Sequence, residues 1–514
     1  MAAAGGAGSQ GRSAFRELGL KKVVQSLVEE IQELYLWDRV PWVVGYSGGK
    51  DSSAIMQLVW MALAQLPAEK RSKPVHVIST DTLVEQPVVA AWVDASHERM
   101  RVAAREQDLP IQPHKLTPDV EDSFWVNLIG RGYPAPRKKF RWCTERMKIR
   151  PSNKFIRSMV RQYGEAILVL GTRKAESQQR ALRMEQHEKR RVRERLAPNA
   201  SLPNSLVYTP VEDWSNDDVW LFLMQFPNPW GHTNKSLLGM YQGASTDGEC
   251  PLVVDTSTPS CGSSRFGCWV CTVVDKDRSM EAMIKNDEEK VWMTPLLAFR
   301  NELGDFANER ERRDYRRMNG RVQLFHDSTV PGPYRKQWRE HWLDRLLTVQ
   351  EEIRRLGPPE VQQIELISMD ELREIRRIWL YEKHEFDDAL PRIFERTTGR
   401  EFPTDAADDA LLRRDDWELL KDVCGGDDAF FELQRTMLDV EREYRGMMRR
   451  AGIFDALTDR LRAGQFPSES EAIRLRSDEE ERRGGAGGTE PGGDRQKTMF
   501  VSAEAETPAP QGLP

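Results

Sequence analysis

The residues with the clearest chemical potential form one short stretch, Ser47-Gly48-Gly49-Lys50-Asp51-Ser52. An apolar run precedes it and apolar residues follow it at helical spacing, so it is predicted to be a turn between a buried strand and a helix. The first N–H groups of a helix have no internal partner, and two glycines leave room for an anion to reach them. The stretch therefore predicts a phosphate-binding loop in which Lys50 supplies positive charge and Asp51 binds Mg²⁺ or braces the loop.

The spacing of this loop differs from GxxxxGK[ST], the Walker loop of triphosphate hydrolases. A simple serine–glycine turn before a helix is the structural alternative. Because strand, loop and helix signals occur in order, phosphate binding is favoured. The predicted contacts are Ser47, Gly48, Gly49, Lys50, Asp51 and Ser52.

A second set of reactive side chains is the cysteines, which number six. They are Cys143, Cys250, Cys261, Cys268, Cys271 and Cys424, and four of them fall within 22 positions. In a reducing compartment such clustering favours metal over disulfides. The last three of the cluster offer a compact set of thiolates, which either Cys143 or Cys250 would complete. Zinc and an iron–sulfur cluster both suit such a set, and unligated buried cysteines are the alternative; Cys424 is predicted to be inert.

The most basic stretch lies between Arg131 and Arg157, where ten Lys and Arg residues accompany one acid, Glu145. Tyr133, Phe140 and Trp142 are interleaved with them. Cations mixed with aromatic rings suit a nucleic-acid backbone and its bases. A solvated charged face is the alternative, but the stretch adjoins the predicted phosphate site, so nucleic-acid contact is favoured.

These groups need a scaffold, and the chain predicts an α/β fold with a parallel sheet. Apolar runs at 43–45, 74–80 and 166–170 are predicted strands separated by helical patterns, as in βαβ units. Ligands of such sheets bind at the carboxyl ends of the strands, where Ser47, Asp81 and Gly171 would gather. Asp81 is a candidate for the ribose or adenine edge, or equally a helix N-cap.

Arg173 and Arg180 follow the third strand on one face of a predicted helix, together with Glu176. The two arginines could clamp a phosphate, or all three could form a surface salt-bridge ladder. Further on, Ser215 with Asp218 and Ser368 with Glu371 have the spacing of helix capping boxes.

Composition sets the wider limits. The chain has 514 residues, 39% of them hydrophobic, and a formal net charge of −6, so the average charge is not that of a nucleic-acid binder. No secretory or membrane-spanning segment is evident, and a cytoplasmic location is expected. The predicted organisation is a disordered tail (1–14), an α/β domain (15–248), a cysteine-rich loop (249–275), an α-helical domain (276–466) and a second disordered tail (467–514).

Four motifs together resemble the phosphoadenosine-phosphosulfate reductase branch of the pyrophosphate-loop ATP pyrophosphatases, over roughly residues 15 to 275. They are SGGKDS at Ser47, RWCTERMKIRP at Arg141, GTRKAESQQR at Gly171 and PVEDWSNDDVW at Pro210. The segment from Glu249 to Val274 and the helical extension resemble more closely the DndC family of the bacterial DNA phosphorothioation system. The resemblance implies an adenine nucleotide alpha-hydrolase-like (PP-loop) fold with a twisted parallel sheet.

The resemblance also implies an activity: ATP is split into AMP and pyrophosphate to help replace a DNA backbone oxygen by sulfur. It assigns Lys50, Asp51, Arg173 and Arg180 to catalysis. It implies Mg²⁺ and an iron–sulfur cluster, 4Fe-4S in type, on Cys143, Cys261, Cys268 and Cys271, with Cys250 in reserve. DNA, other proteins of the phosphorothioation system and a cysteine desulfurase are the implied partners.

Two other functions remain open from the sequence. A sulfonucleotide reductase would act on a small molecule. Enzymes of that kind attack the sulfate sulfur with a cysteine near a mobile C-terminus, and no cysteine follows Phe466 here. A non-catalytic scaffold would bind nucleotide without releasing pyrophosphate. Thiolation of tRNA is possible by mechanism, although no RNA-binding module is evident.

Overall fold

A computed structural model describes most of the chain. The described residues are 13–176, 178–189, 191, 195–245, 266–318, 320, 322–325, 328–403, 414–445, 447–464 and 468–484.

A mainly parallel six-stranded sheet forms the centre of the first half of the chain. Its strands are β1 (Trp42–Gly45), β2 (Val75–Thr80), β3 (Ile111–Leu116), β4 (Ala166–Val169), β5 (Ala197–Pro198) and β6 (Ser205–Tyr208). The order across the sheet is β3-β2-β1-β4-β6-β5, and only β5 runs antiparallel to its neighbour. The strand order reverses between β1 and β4, which is where open α/β sheets bind ligands.

Helices cover both faces of the sheet. The helices in this part of the chain are α1 (Leu20–Trp37), α2 (Lys50–Ala64), α3 (Pro87–Glu106), α4 (Trp142–Thr144), α5 (Arg150–Tyr163), α6 (Gln178–Glu188), α7 (Asn216–Gln225) and α8 (Asn234–Gly243). One apolar core joins α1, α2, α7 and α8 to one face of the sheet, and a smaller core lies on the other face around Val43 and Ile156. The alternation of side chains along β1 and β4 divides them between these two cores.

The chain after residue 275 is mainly helical. Its helices are α9 (Arg278–Asn286), α10 (Thr294–Leu303), α11 (Glu309–Arg312), α12 (Lys336–Leu356), α13 (Met369–Arg377), α14 (Ala389–Thr398), α15 (Arg414–Val423), α16 (Asp428–Arg445), α17 (Ile453–Gly464) and α18 (Glu469–Gly484). A small hairpin pairs β7 (Leu324–Phe325) with β8 (Ser328–Thr329). Helices α10, α12, α13 and α14 share a core with the segment 124–129 and with Trp142 and Trp269.

Contacts divide the chain into two units. The first combines Met1–Asp314 with Gly332–Gly426, and the second combines Tyr315–Pro331 with Asp427–Pro514. Within the second unit, Ala472 of α18 is buried beside Val322. No helix among the described residues is long and apolar enough to span a membrane.

The predicted fold class is confirmed: an α/β region with a mostly parallel sheet is followed by a helical region. The predicted strands match β1, β2 and β4, and both predicted capping boxes are present. The structure places α18 in the range predicted as a disordered tail; the polar composition suggested disorder, whereas Glu, Arg and Ala also favour helix. The other domain boundaries stay predictions.

Candidate nucleotide and thiol site

The glycine-rich loop lies between β1 and α2, at the carboxyl edge of the sheet. The backbone N–H of Ser47 donates to the Ser52 hydroxyl at 3.1 Å, and that hydroxyl donates to the Gly49 carbonyl at 3.0 Å. Helix α2 begins at Lys50, directly after the glycines. The loop is therefore closed on itself and presents a helix N-terminus, as phosphate binding requires.

Position 48 of the loop requires glycine, both for its backbone conformation and for lack of space. Its φ is +72°, a left-handed conformation that side chains rarely adopt. A Cβ here would also lie 2.6 Å from Cγ2 of Val93 in α3. The indole of Trp92 donates to the Gly48 carbonyl at 3.1 Å, so α3 holds the loop from one side.

Asp51 links two cations at the start of α2. One of its oxygens lies 2.9 Å from Lys50 Nζ, and the other accepts from Arg173 Nε at 2.8 Å. Arg173 is only 2% exposed and also donates to the Trp214 carbonyl (3.0 Å) and to Asn216 Oδ1 (3.3 Å). The structure thus shows Asp51 as a brace of the loop and Arg173 as the group that ties this brace to the start of α7.

The end of β4 approaches the loop closely. A Cβ on Gly171 would lie 2.9 Å from the Asp51 carbonyl oxygen, so only glycine fits there. Asp81, at the end of β2, accepts the Leu83 N–H at 2.8 Å and pairs with Lys115 at 2.9 Å. Ser47, Asp81 and Gly171 therefore follow three adjacent strands, as predicted, and Asp81 shapes the turn after β2.

Arg180 lies on α6 and pairs with Glu176. It lines a cavity of about 390 Å³ between α6 and the sheet. The cavity floor is apolar. It consists of Leu168 in β4, Leu170 just after β4, and Val207 in β6. Glu176 contacts both predicted arginines, because it also accepts the Arg173 N–H at 3.1 Å. The Arg173 guanidinium is buried against Asp51, whereas Arg180 pairs with Glu176 and lines this cavity.

Three of the cysteines gather near the end of β2. Cys268 lies opposite Glu85 in an antiparallel bridge, and its sulfur lies 3.3 Å from the Thr82 hydroxyl. The Cys271 N–H donates to the Cys268 carbonyl at 3.0 Å, so these two form a tight turn. Burial, followed by negative charge on Cys271, raises the pKa of the Cys143 thiol. Cys143 and Cys268 both pack against the same apolar core.

The environment of Cys268 bears on metal binding. Burial, together with the nearby Glu85 carboxylate, raises the pKa of its thiol to about 12. A buried thiol of this kind ionises only when a cation compensates, and a metal centre is such a cation. Cysteine sulfur is the donor type that iron–sulfur centres use, so these residues have the right chemistry for one.

The structure tests only part of the predicted ligand set. Cys250 and Cys261 lie outside the described residues. Among those that are described, no group of three or more His, Cys, Asp or Glu side chains is arranged to hold a metal ion. Cys424 is buried in a different part of the fold.

The helical region positions the cysteines. Trp142, next to Cys143, stacks on Phe124 at 5.3 Å, and Trp269 packs against Phe299 of α10 at 5.8 Å. The buried Arg300 of α10 donates from Nε to the Cys271 carbonyl at 3.0 Å. Sequence reasoning missed Arg300, because no local pattern relates it to the cysteines.

A tyrosine connects the loop with the cysteine segment. The hydroxyl of Tyr241 in α8 accepts the Lys50 N–H at 3.3 Å, and its ring packs edge-on against Phe266 at 4.7 Å. Phe266 is two residues before Cys268. Tyr241 therefore links the glycine-rich loop to the segment that leads to Cys268, and sequence reasoning missed this tyrosine too.

Comparison with known proteins agrees with this geometry. Residues 41–229 match the family model of the phosphoadenosine phosphosulfate reductase domain. An uncharacterised protein of Methanocaldococcus jannaschii is 25% identical over 263 residues, which cover 51% of this chain and 42% of that protein. The chain thus spans less than half of the length of this curated relative.

Solved structures show only distant likeness. The phosphoadenylyl-sulfate reductase of Candida auris, as a phosphate complex, aligns with 45% of this chain and 95% of its own, at 15% identity and a TM-score of 0.27. The FMN adenylyltransferase of Candida glabrata with FAD and inorganic pyrophosphate aligns with 49% and 73%, at 14% identity and a TM-score of 0.26. The family match and the described loop lead to one conclusion: this chain carries a phosphoadenosine phosphosulfate reductase-like, nucleotide-binding domain.

Proposed function

We propose that this protein is a DNA phosphorothioation sulfurtransferase of the DndC type. It would split ATP into AMP and pyrophosphate to activate a backbone phosphate oxygen of DNA, which sulfur then replaces. The observation that supports the proposal is the series of contacts from Lys50 through Tyr241 to Phe266, which links the glycine-rich loop to the segment that leads to Cys268. A sulfur-transfer enzyme that consumes ATP needs both groups in one site.

The chemistry explains why ATP is needed. A phosphodiester oxygen is a very poor leaving group. When that oxygen attacks the α-phosphorus of ATP, a P–O bond forms, the α–β phosphoanhydride bond breaks and pyrophosphate departs. Sulfide then attacks the DNA phosphorus, and AMP leaves with the original oxygen. No net oxidation or reduction occurs when the sulfur arrives as hydrosulfide.

The loop residues have defined tasks in this scheme. The N–H groups at the start of α2 and the Lys50 ammonium bind the departing pyrophosphate and stabilise its charge. Asp51, held by Arg173, keeps Lys50 in place and is the candidate ligand of Mg²⁺. Arg180, at the cavity beside α6, is the candidate contact for the substrate phosphate.

The iron–sulfur centre would be held by Cys143, Cys261, Cys268 and Cys271, with Cys250 as the substitute ligand. When bound, it supplies electron transfer or sulfur delivery. The sulfur would come from a cysteine desulfurase as a persulfide, from which a thiol reductant would release hydrosulfide while being oxidised to a disulfide. Other proteins of the modification system would act with this chain. Thr82, Glu85 and the Arg300 contact keep the cysteine turn beside the end of β2.

Pyrophosphate release from ATP tests the proposal. Lys50→Ala should abolish release, because it removes the charge that stabilises the leaving group, while visible absorbance and iron and sulfide content stay at the wild-type level. Lys70→Ala is the matched control, since Lys70 is exposed in the short turn that precedes β2. A wild-type protein that binds ATP but releases no pyrophosphate would be a scaffold instead.

A second candidate is a sulfonucleotide reductase, which the family match of residues 41–229 favours. Such an enzyme would release sulfite from phosphoadenosine phosphosulfate when given a thiol reductant. Sulfite release without ATP cleavage would establish it. Phosphorothioate formation in DNA, with no sulfite from the sulfonucleotide, would support the first proposal.

A further inference from the structure

The basic residues between 131 and 157 fall into two groups in the structure. One group is neutralised by carboxylates: Arg146 and Arg150 pair with Asp122 at 2.8 and 2.9 Å, Lys154 with Asp119 at 2.8 Å, Lys148 with Glu85 at 3.1 Å, and Arg137 with Glu309. The other group includes Lys138, Lys139 and Arg141, which are exposed. Within the described residues, none of these three side chains has an ion pair or a hydrogen bond.

These three cations belong to one tight turn, which we name the basic turn (residues 137–141). The N–H of Arg137 donates to the Phe140 carbonyl at 3.0 Å, and the Phe140 N–H donates back at 2.9 Å. Such reciprocal bonds leave Lys138 and Lys139 at the tip. The basic turn therefore presents its charges outward from a defined backbone.

Both ends of the basic turn are anchored. The Arg137 guanidinium lies over the ring of Phe306 at 4.4 Å, in addition to its pair with Glu309. On the other side, the Trp142 indole donates to the Pro134 carbonyl at 3.0 Å. Because both ends of the turn are fixed, little conformational entropy is lost when its tip binds a ligand.

Phe140 adds an aromatic ring to this tip. It is 41% exposed, next to three cations that lack carboxylate partners. The exposed part of the ring gains nothing from folding, whereas it can wedge between base steps of a nucleic acid. The combination fits a nucleic acid, in which flat bases recur at a regular spacing beside the phosphates.

The basic turn also lies beside the thiols. Arg141 is two residues before Cys143, and the buried Thr272 hydroxyl donates to the Pro136 carbonyl at 2.7 Å. Thr272 directly follows Cys271. A phosphate backbone held by the basic turn would therefore run next to the cysteine segment.

We propose that the basic turn is the element of this chain that grips duplex DNA, with Lys138, Lys139 and Arg141 on backbone phosphates and Phe140 against a base. This inference rests on the proposed function for the identity of the nucleic acid. The paired cations Arg150 and Lys154 contribute less, because Asp119 pairs with Lys154 and Asp122, shared with Arg146, offsets part of the charge of Arg150.

Binding of labelled duplex DNA to the full chain, without nucleotide and at several salt concentrations, tests this inference. Lys138→Ala/Lys139→Ala should weaken binding about tenfold and reduce the slope of log affinity against log salt by roughly 2, since each phosphate contact contributes about 0.9. Arg150→Ala/Lys154→Ala removes the same charge from paired positions and should change the slope by less than half as much. Equal losses in both double variants, or wild-type binding by the first, would overturn the inference.

The contribution of the Phe140 ring to DNA binding is tested with a second pair of variants. Phe140→Ala should weaken binding about tenfold with an unchanged salt slope, because it removes an uncharged wedge against a base step and no phosphate contact. Tyr163→Ala is the matched control, as Tyr163 is 43% exposed at the far end of α5. Loss of affinity in the Tyr163 variant alone would contradict the assignment.

Failure of this inference differs from failure of the proposed function. DNA binding is measured without ATP, so a wild-type chain that releases no pyrophosphate still allows the variants to be compared. Conversely, basic-turn variants that bind DNA as tightly as the wild type would overturn this inference without contradicting the proposed cleavage of ATP. A wild-type chain with no measurable affinity for duplex DNA also overturns the inference.

Discussion

At the scale of single residues, Arg173 decides how the loop is held. It is buried and donates to Asp51, to the Trp214 carbonyl and to Asn216. Arg173→Met leaves the partly buried Asp51 without this donor, and a charged hydrogen bond contributes about 1.5–3 kcal/mol. We expect kcat/KM for pyrophosphate release to fall roughly 10- to 100-fold.

A double-mutant cycle shows whether Arg173 acts through Asp51. Asp51→Asn alone should reduce kcat/KM, and adding Arg173→Met should then cost little more, because the two side chains act as one brace. The measurement is pyrophosphate release by all four proteins. Losses that multiply would mean that Arg173 contacts the phosphates independently, as the sequence alone allowed.

Residues close together in sequence could be assigned to the site before the structure was known. The residues from Ser47 to Ser52 are contiguous in the sequence, and the two glycines among them indicate a turn. Tyr241 and Arg300 could not be found in this way, because tertiary packing alone brings them to Lys50 and Cys271. The same holds for the division of basic residues into paired and unpaired groups, which depends on where Asp119 and Asp122 fall.

At the scale of elements, the start of α7 supports the site. Ser215 and Asp218 form a capping box, and the next residue after Ser215 is Asn216, which accepts from Arg173. Ser215→Ala should lower the free energy of unfolding by about 1 kcal/mol and also weaken ATP binding, because Asn216 and the Trp214 carbonyl lose their fixed position. Chemical denaturation and nucleotide titration measure the two effects.

The second capping box provides the control. Ser368 and Glu371 cap α13 in the same manner, and the helix lies in the helical core instead of at the loop. Ser368→Ala should therefore cost a similar free energy of unfolding without changing ATP affinity. If both variants weaken nucleotide binding equally, the effect reflects general stability and not the position of α7.

Elements were predictable where their residues repeat with a clear period. The buried runs of β1, β2 and β4 and the capped helices follow such patterns. The sequence did not indicate that α10 and α12 share a core with Trp142 and Trp269, because that packing joins segments far apart in the chain. The helical region thus supports the cysteines directly, a role that its composition does not reveal.

At the scale of the whole molecule, two buried histidines set a limit on acid stability. Burial lowers the pKa of His76 and of His97 to about 4, from an ordinary value of 6.5. Both side chains are less than a tenth exposed. The folded protein therefore keeps them neutral at a pH where the unfolded chain binds protons.

This difference in proton binding determines how the free energy of unfolding changes with pH. Above pH 6.5 the two histidines are neutral in both the folded and the unfolded protein, and they do not lower stability. As the pH falls towards 4, the histidines bind protons only in the unfolded chain, so the free energy of unfolding decreases. The loss amounts to about 3 kcal/mol per histidine at most. His97→Gln, which can still bond the Ser79 hydroxyl that His97 contacts at 2.8 Å, should roughly halve this part of the decrease. Urea denaturation between pH 7.5 and 4.5 measures it, and a variant with the same pH dependence as the wild type would show that groups other than His97 govern acid unfolding.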